Sequence, residues 1–310
     1  MSVESSNGAK APQWPSHVTV VDVTPRDGLQ DADHLVSSEQ KLAFISALLA
    51  AGVRSIEVTS FMRPEWIPQL ADADYVAMQL PSHPGVTYSA LIPNLRGYDR
   101  AKKTGIAEVT LVVSASESHN RANLNRSVDE SLAQLATVAA QAKEDGIAVR
   151  GAIATSFGCP FEGAVAPEAV LRIVRAYAEM NVQQVSLADT IGVGNPHQVY
   201  ELFLMARAEL PETISLSAHF HDRAGYGLAN VFAALQAGVA TFDAAVGGLG
   251  GCPYAPGAPG NLSTETLVEY LEAMGFNTGI SLAGLAAARQ QLLTDLAHGE
   301  PVTNTHSMRK

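Results

Sequence analysis

The feature that most constrains this chain is an alternation. Short runs rich in β-branched residues recur along it, each followed by a turn and a segment of helical periodicity, and that order marks βαβ units built round a parallel sheet. Eight such runs stand out, at Val18–Thr24, Val53–Val58, Val86–Ile92, Ala107–Val113, Ile147–Ala154, Val182–Ala188, Ile214–Phe220 and Val239–Val246. Helices are expected at Glu39–Ala50, Glu65–Gln79, Leu95–Thr104, Val128–Glu144, Pro167–Met180, His197–Glu209, Gly227–Gln236 and Ser263–Met274. Ser37 and Ser38 stand before the first helix, Pro167 and Pro196 where a first turn tolerates proline, and Gly52, Gly105, Gly146, Gly238 and Gly275 after helix ends. Eight strand–helix units fit an α/β (β/α)₈ TIM barrel better than an open doubly wound sheet, which has fewer strands. No linker divides the eight, so residues 17–310 are expected to form one barrel domain, with an extra C-terminal helix at Ser281–Gly299 and a flexible segment at residues 1–16.

Composition narrows the function. In 310 residues, 47% are hydrophobic and 16% charged, values of a globular protein rather than a disordered one. Acidic residues number 31 against 20 basic, and a net charge of −11 argues against a phosphate-backbone contact surface, so no nucleic-acid partner is expected. Cys159 and Cys252 are the two cysteines, too few for a disulfide framework and lacking the C-x-x-C of a zinc ribbon or redox site. The first sixteen residues have neither an apolar signal core nor transit-peptide arginines, and the longest apolar stretch, near Ala43–Val53, is too short to span a bilayer. A soluble cytoplasmic protein without a membrane partner is the expectation.

A barrel strand is almost continuously apolar, so ionisable residues at its carboxyl end, where barrel enzymes place their chemistry, carry information. Strand one runs into Pro25-Arg26-Asp27-Gly28, strand two carries Glu57, strand six ends at Asp189, and strand seven ends in His219-Phe220-His221-Asp222. Two positions apart on an extended strand, His219 and His221 point to one side, as two ligands of one divalent metal would. Taken alone, such a pair at a strand end is more often structural. Asp27 at the same rim tips the balance toward metal, because two nitrogens and one carboxylate suit a borderline divalent ion with positions left open. Arg26 is a surface ion pair or, at a barrel mouth, a guanidinium that stabilises an enolate oxygen. Glu57 is a residue that holds Arg26 or a metal ligand in place, or a satisfied core carboxylate.

The stretch 247–261, Gly-Gly-Leu-Gly-Gly-Cys-Pro-Tyr-Ala-Pro-Gly-Ala-Pro-Gly-Asn, is expected to be a lid that excludes water. It carries Cys252, an inert side chain or a proton donor, and ends at Asn261, an N-cap of the last barrel helix or a metal ligand. It matches neither a P-loop nor a dinucleotide fingerprint, and there is no G-x-S-x-G elbow, which disfavours nucleotide binding and serine hydrolysis.

Together these segments resemble the 3-hydroxy-3-methylglutaryl-CoA lyase family of the DRE-TIM metallolyase superfamily. The resemblance rests on Thr24-Pro25-Arg26-Asp27-Gly28-Leu29-Gln30, Thr59-Ser60-Phe61, Trp66-Ile67-Pro68-Gln69, Asp189-Thr190-Ile191-Gly192-Val193-Gly194, His219-Phe220-His221-Asp222 and Gly248-Leu249-Gly250-Gly251-Cys252-Pro253-Tyr254-Ala255, all collinear. It implies retro-Claisen cleavage of 3-hydroxy-3-methylglutaryl-CoA to acetyl-CoA and acetoacetate with a divalent metal, Mg²⁺ or Mn²⁺. By similarity Asp27, His219, His221 and Asn261 hold the metal, Arg26 stabilises the enolate, Cys252 helps protonate it and Glu57 orients these groups. Gln30, Ser60, Ser186, Asp189 and Thr190 line the same mouth beside Arg26. An acyl-CoA thioester is the implied partner and a homodimer the implied assembly. Asp31-Ala32, Glu65, Arg223 and Ala245 depart from the family's usual residues. The alternatives are a lyase for a related 3-hydroxy-3-alkylglutaryl or other hydroxyacyl thioester, an acyl-CoA-condensing synthase, and a catalytically silent barrel.

Overall fold

Strands apolar on both faces can be buried only with helices outside and packed side chains within, and the chain adopts that arrangement. The computed structural model describes residues 14–223, 225–251 and 260–302. The strands are β1 (Thr19–Asp22), β2 (Ser55–Ser60), β3 (Thr87–Ile92), β4 (Glu108–Ser114), β5 (Ala148–Ala154), β6 (Gln184–Asp189), β7 (Ser215–Phe220) and β8 (Thr241–Ala244). All neighbours are parallel and β8 returns to β1, with Val21 opposite Asp243, which closes an eight-stranded barrel. Each strand begins one or two residues later than its apolar run, because the first residues of the run still belong to the turn that enters the sheet.

The helices among the described residues are α1 (Ser38–Ala50), α2 (Ala73–Met78), α3 (Leu95–Ala101), α4 (Glu117–Leu124), α5 (Val128–Glu144), α6 (Pro167–Glu179), α7 (Pro196–Glu209), α8 (Tyr226–Gln236), α9 (Thr264–Ala273) and α10 (Leu282–His298). Reciprocal capping boxes start three of them: Ser37 with Gln40, Ser127 with Glu130 and Asn195 with Gln198. α10 is the extra helix, laid on α1 through Gln40 Nε2 to Asp295 Oδ1 at 3.0 Å.

Two elements differ from the periodicity. The expected helix Glu65–Gln79 is a 3₁₀ turn at Pro68–Leu70 and then α2, since Pro68 lacks an N–H and its ring clashes with a preceding helical turn. α4 has no apolar stripe in its sequence, Glu-Ser-His-Asn-Arg-Ala-Asn-Leu; Ser116 caps it, accepting from His119 N, and Asn125 ends it in the left-handed region at φ 54°.

Between sheet and helices lie Phe44, Tyr98, Tyr177, Phe203, Phe220 and Phe242, all fully buried. Tyr177 lies flat over β5, its hydroxyl donating to Leu111 O at 2.7 Å, and a Cβ at Gly151 would come within 2.6 Å of its ring. That glycine is a packing requirement. Because helices cover the outside of the barrel, the carboxyl ends of the strands are left as the open face.

Candidate active site

The site begins where β1 stops. The carbonyl of Val23 accepts from the N–H groups of Arg26 (3.2 Å), Asp27 (2.7 Å) and Gly28 (3.2 Å), so Thr24–Gly28 is a single wide π turn, an element frequent at functional sites. The buried Asp22 carboxylate anchors this turn: Oδ1 accepts from Thr24 N at 3.0 Å and Oδ2 from the Thr264 hydroxyl at 2.8 Å. Burial, only partly offset by those hydrogen bonds, pushes Asp22 up to about 6.

The turn sets Arg26 and Asp27 at the rim. Arg26 donates through Nε to Glu57 Oε2 and through Nη1 to Asp27 Oδ1, two short charged contacts that hold the guanidinium across the mouth of β2. Asp27 Oδ2 accepts from Asn261 Nδ2 at 2.7 Å and lies 3.9 Å from His219 Nε2. Burial alone would raise Asp27; Arg26, the two histidines and the Asn261 amide outweigh it and hold the carboxyl down at about 2.

His219 and His221 stand side by side at the end of β7, ring centroids 5.3 Å apart. Asn261 reaches them because the chain leaving the glycine-rich loop pairs antiparallel with β7's extension: Asp222 N donates to Gly260 O at 3.1 Å and Leu262 N to Phe220 O at 3.0 Å. The N-cap of α9 is Ser263, not Asn261. The Asn261 amide nitrogen also donates to Leu249 O at 2.9 Å, which ties the root of the loop to Asp27. Gly250, at φ 105°, makes this approach possible, since a Cβ there would meet Asn261 Nδ2 at 2.5 Å.

A divalent cation fits these donors. Asp27, His219 and His221 each offer one ligand atom, all within 4.8 Å of one another. Asn261 Oδ1 is buried without a hydrogen-bond partner, an oxygen that a bound cation would satisfy. Two imidazoles, a carboxylate and an amide oxygen form a mixed N/O set with room for substrate oxygens.

These residues open into a cavity of about 480 Å³ that Arg26, Asp27, Glu57, His219 and His221 line with Gln30. Ser186 and Thr190 line it too, as does Gly251, the last described residue before Cys252; Cys252 itself is outside the described residues. Ser60 and Asp189 are not on the cavity wall. Ser60 Oγ accepts weakly from Met62 N at 3.4 Å, and Asp189 spends its carboxylate on Val193 N (3.0 Å) and Gly194 N (2.8 Å), shaping the loop after β6.

Sequence reasoning missed two buried groups below the rim. Asp243 in β8 contacts His219 Nδ1 through Oδ2 at 3.2 Å, and Arg150 in β5 donates to the other oxygen at 2.8 Å. Their signal was a charge inside an apolar strand rather than at its end. Burial disfavours the Asp243 anion, yet Arg150 and His219 outweigh it and hold the carboxyl below its usual range; His219, lowered by burial, is raised on balance by Asp243 and Asp27. The polar helix α4 supplies another wall, with His119 and Asn123. Burial takes His119 down to about 4, and its Nδ1 lies 2.7 Å from Ser114 Oγ.

A closed (β/α)₈ barrel with a mixed histidine and carboxylate cluster at its carboxyl rim defines a class of metal-site barrel proteins. Within it, the chain belongs to the HMGL-like family, whose model matches residues 17–292. Hydroxymethylglutaryl-CoA lyase of Pseudomonas mevalonii is 45% identical over 269 residues, 87% of this chain and 89% of that protein. The crystal structure of Bacillus subtilis HMG-CoA lyase superposes with a TM-score of 0.88 at 42% identity, covering 96% of this chain and 99% of that one. An HMG-CoA lyase from Acinetobacter baumannii, solved with coenzyme A and 3-methylmalate, gives a TM-score of 0.86 at 39% identity over 93% of both chains.

Proposed function

We propose that this protein is a metal-dependent carbon–carbon lyase that cleaves 3-hydroxy-3-methylglutaryl-CoA to acetyl-CoA and acetoacetate. The observation that carries the reading is the meeting of Asp27, His219 and His221 in one cavity beside Arg26, in a chain 45% identical to a lyase of that name. Asp27, His219, His221 and Asn261 hold the cation, Mg²⁺ or Mn²⁺. Bound there, it supplies Lewis acidity that lowers the pKa of the substrate's tertiary hydroxyl. Once that proton has passed to solvent, the carbon–oxygen double bond of acetoacetate forms as the adjacent carbon–carbon bond breaks, and the bond's electron pair passes into the thioester as the acetyl-CoA enolate.

Arg26 is the group for that developing charge. Glu57 anchors its Nε, which leaves other guanidinium N–H groups for the thioester oxygen. Cys252, next along from the cavity-lining residue Gly251, returns a proton to the enolate carbon and so releases acetyl-CoA. Gln30, Ser186 and Thr190 orient the acyl portion, while Asp189 shapes the loop after β6 by accepting from Val193 N and Gly194 N. Ala152, Ala154 and Ala188 put only small side chains on the cavity wall, room that supports a second reading in which the 3-substituent is longer than methyl.

No helix among the described residues is long and apolar enough to cross a membrane. We read the barrel and its C-terminal helix as one catalytic unit, acting in the cytoplasm as a homodimer; of the segment 1–16 expected to be flexible, residues 1–13 lie outside the described residues, and Trp14 packs on Phe232 with ring centroids 5.5 Å apart. Supplying 3-hydroxy-3-methylglutaryl-CoA with Mg²⁺ or Mn²⁺ tests the reaction: acetoacetate is expected, and its absence alongside a condensation activity would make the chain a synthase. A panel of 3-hydroxy-3-alkylglutaryl thioesters separates the two substrate readings, and light scattering reports the assembly.

A further inference from the structure

We infer that Arg150, acting through Asp243, is the positioning residue that fixes His219 with its Nε2 turned toward the metal ligands. The inference deepens the site reading above and rests on its assignment of His219 as a ligand. A histidine can bind a cation through a ring nitrogen only if that nitrogen carries no proton, so what the other nitrogen donates to decides whether it is a ligand.

In this protein the decision lies within the barrel. His219 Nδ1 is 3.2 Å from Asp243 Oδ2, while Nε2 is the nitrogen that faces Asp27, 3.9 Å from its Oδ2. A carboxylate accepts and does not donate, so the pairing puts the proton on Nδ1 and the lone pair on Nε2. Asp243 is placed by its other oxygen. Arg150 Nη2 donates to Asp243 Oδ1 at 2.8 Å and is steadied by the hydroxyls of Ser186 (3.1 Å) and Ser217 (3.0 Å). One guanidinium thus spans β6 and β7 to grip an acid on β8, and that acid grips the histidine on β7. Both charged side chains are nearly inaccessible to water, at 3% and 6% exposed. A buried ion pair is weak evidence of a contribution to stability, because desolvation offsets attraction; orientation is the better account of this one. Removing the guanidinium frees the carboxylate to turn, and the imidazole then loses the contact that selects its tautomer.

Nitrogen-15 NMR of the metal-free, full-length wild-type protein is the direct test, with His219 assigned by comparison with His219→Gln. At a pH high enough to leave the ring neutral, the Nδ1–H tautomer is expected; an Nε2–H tautomer overturns the inference. Titration with Mn²⁺, followed by the resonance of the free ion, is the second arm. Asp243→Asn and Arg150→Met are expected to bind Mn²⁺ about 10–100-fold more weakly than wild type, with Arg150→Lys recovering part of the loss. Wild-type Mn²⁺ affinity in a folded Asp243→Asn protein refutes the positioning role. The outcomes separate from the activity: a wild type that binds Mn²⁺ but cleaves no 3-hydroxy-3-methylglutaryl-CoA sinks the proposed reaction and leaves this inference standing. Cleavage by wild type together with unweakened metal binding in both variants does the reverse.

Discussion

Asp27 links the charged groups of the rim, in contact with Arg26 and Asn261 and facing His219. His219→Ala is expected to remove most bound divalent metal, read by elemental analysis of protein dialysed against trace Mn²⁺, while the melting temperature moves little. Metal content equal to wild type would show that the imidazole is not a ligand. Glu57 has a different task, since its carboxylate holds Arg26 and lies outside the ligand set. Glu57→Gln is therefore expected to lower kcat by at least about tenfold with Mn²⁺ affinity nearly unchanged, a split that places the loss on Arg26. Cys252→Ala is expected to lower kcat by about 10²–10⁴-fold, the range for a proton donor, with little change in unfolding midpoint. Severe destabilisation would make the thiol a packing group.

At the scale of elements, the strands hold the site still and the turns after them aim it. β5 shows the demand this makes on packing, because Tyr177 of α6 fills the space where a side chain at position 151 would go. Gly151→Ala is expected to cost about 1–3 kcal/mol by overpacking, measured by urea unfolding. A neutral result would mean that the α6 ring has room to shift. Helix signals were legible both at ends and in interiors. Ser37, read as standing before the first helix, is the N-cap of α1, and α5 runs over the residues its periodicity gave, Val128–Glu144. α4 was illegible because nothing in its eight residues distinguishes a helix that faces a cavity from a polar loop.

Over the whole molecule, two buried aspartates give opposite pH dependences. Asp27 is held down at about 2, so the folded state holds its proton less tightly than the unfolded chain, and its contribution to stability is lost as pH falls from about 4 toward 2. Asp22 is raised from 3.8 to about 6, so its contribution is present at low pH and is lost as pH rises through about 6. At about 1.4 kcal/mol per unit, the Asp22 effect is on the order of 3 kcal/mol. Asp22→Asn is expected to gain stability relative to wild type between about pH 4 and pH 7, seen as a converging or crossing pair of unfolding curves. Parallel curves across that range would show that burial at the foot of the π turn does not perturb this carboxyl.

The sequence by itself determined the barrel and nominated the rim. Eight apolar runs buried on both faces leave few arrangements other than closure, and a charge at the end of such a run is costly enough to be conspicuous. Hence Arg26, Asp27, Glu57, His219 and His221 were visible as candidates from their places at the ends of apolar runs. Only the tertiary structure decided who meets whom. Asp27 and Asn261 are 234 positions apart and touch because the barrel closes and the chain beyond the loop pairs with β7. Arg150 and Asp243, 93 apart, meet inside the barrel across two intervening strands, where strand curvature and shear set the distance. Local periodicity fixes which face a residue occupies, but the separation of two residues across a closed sheet depends on every strand between them.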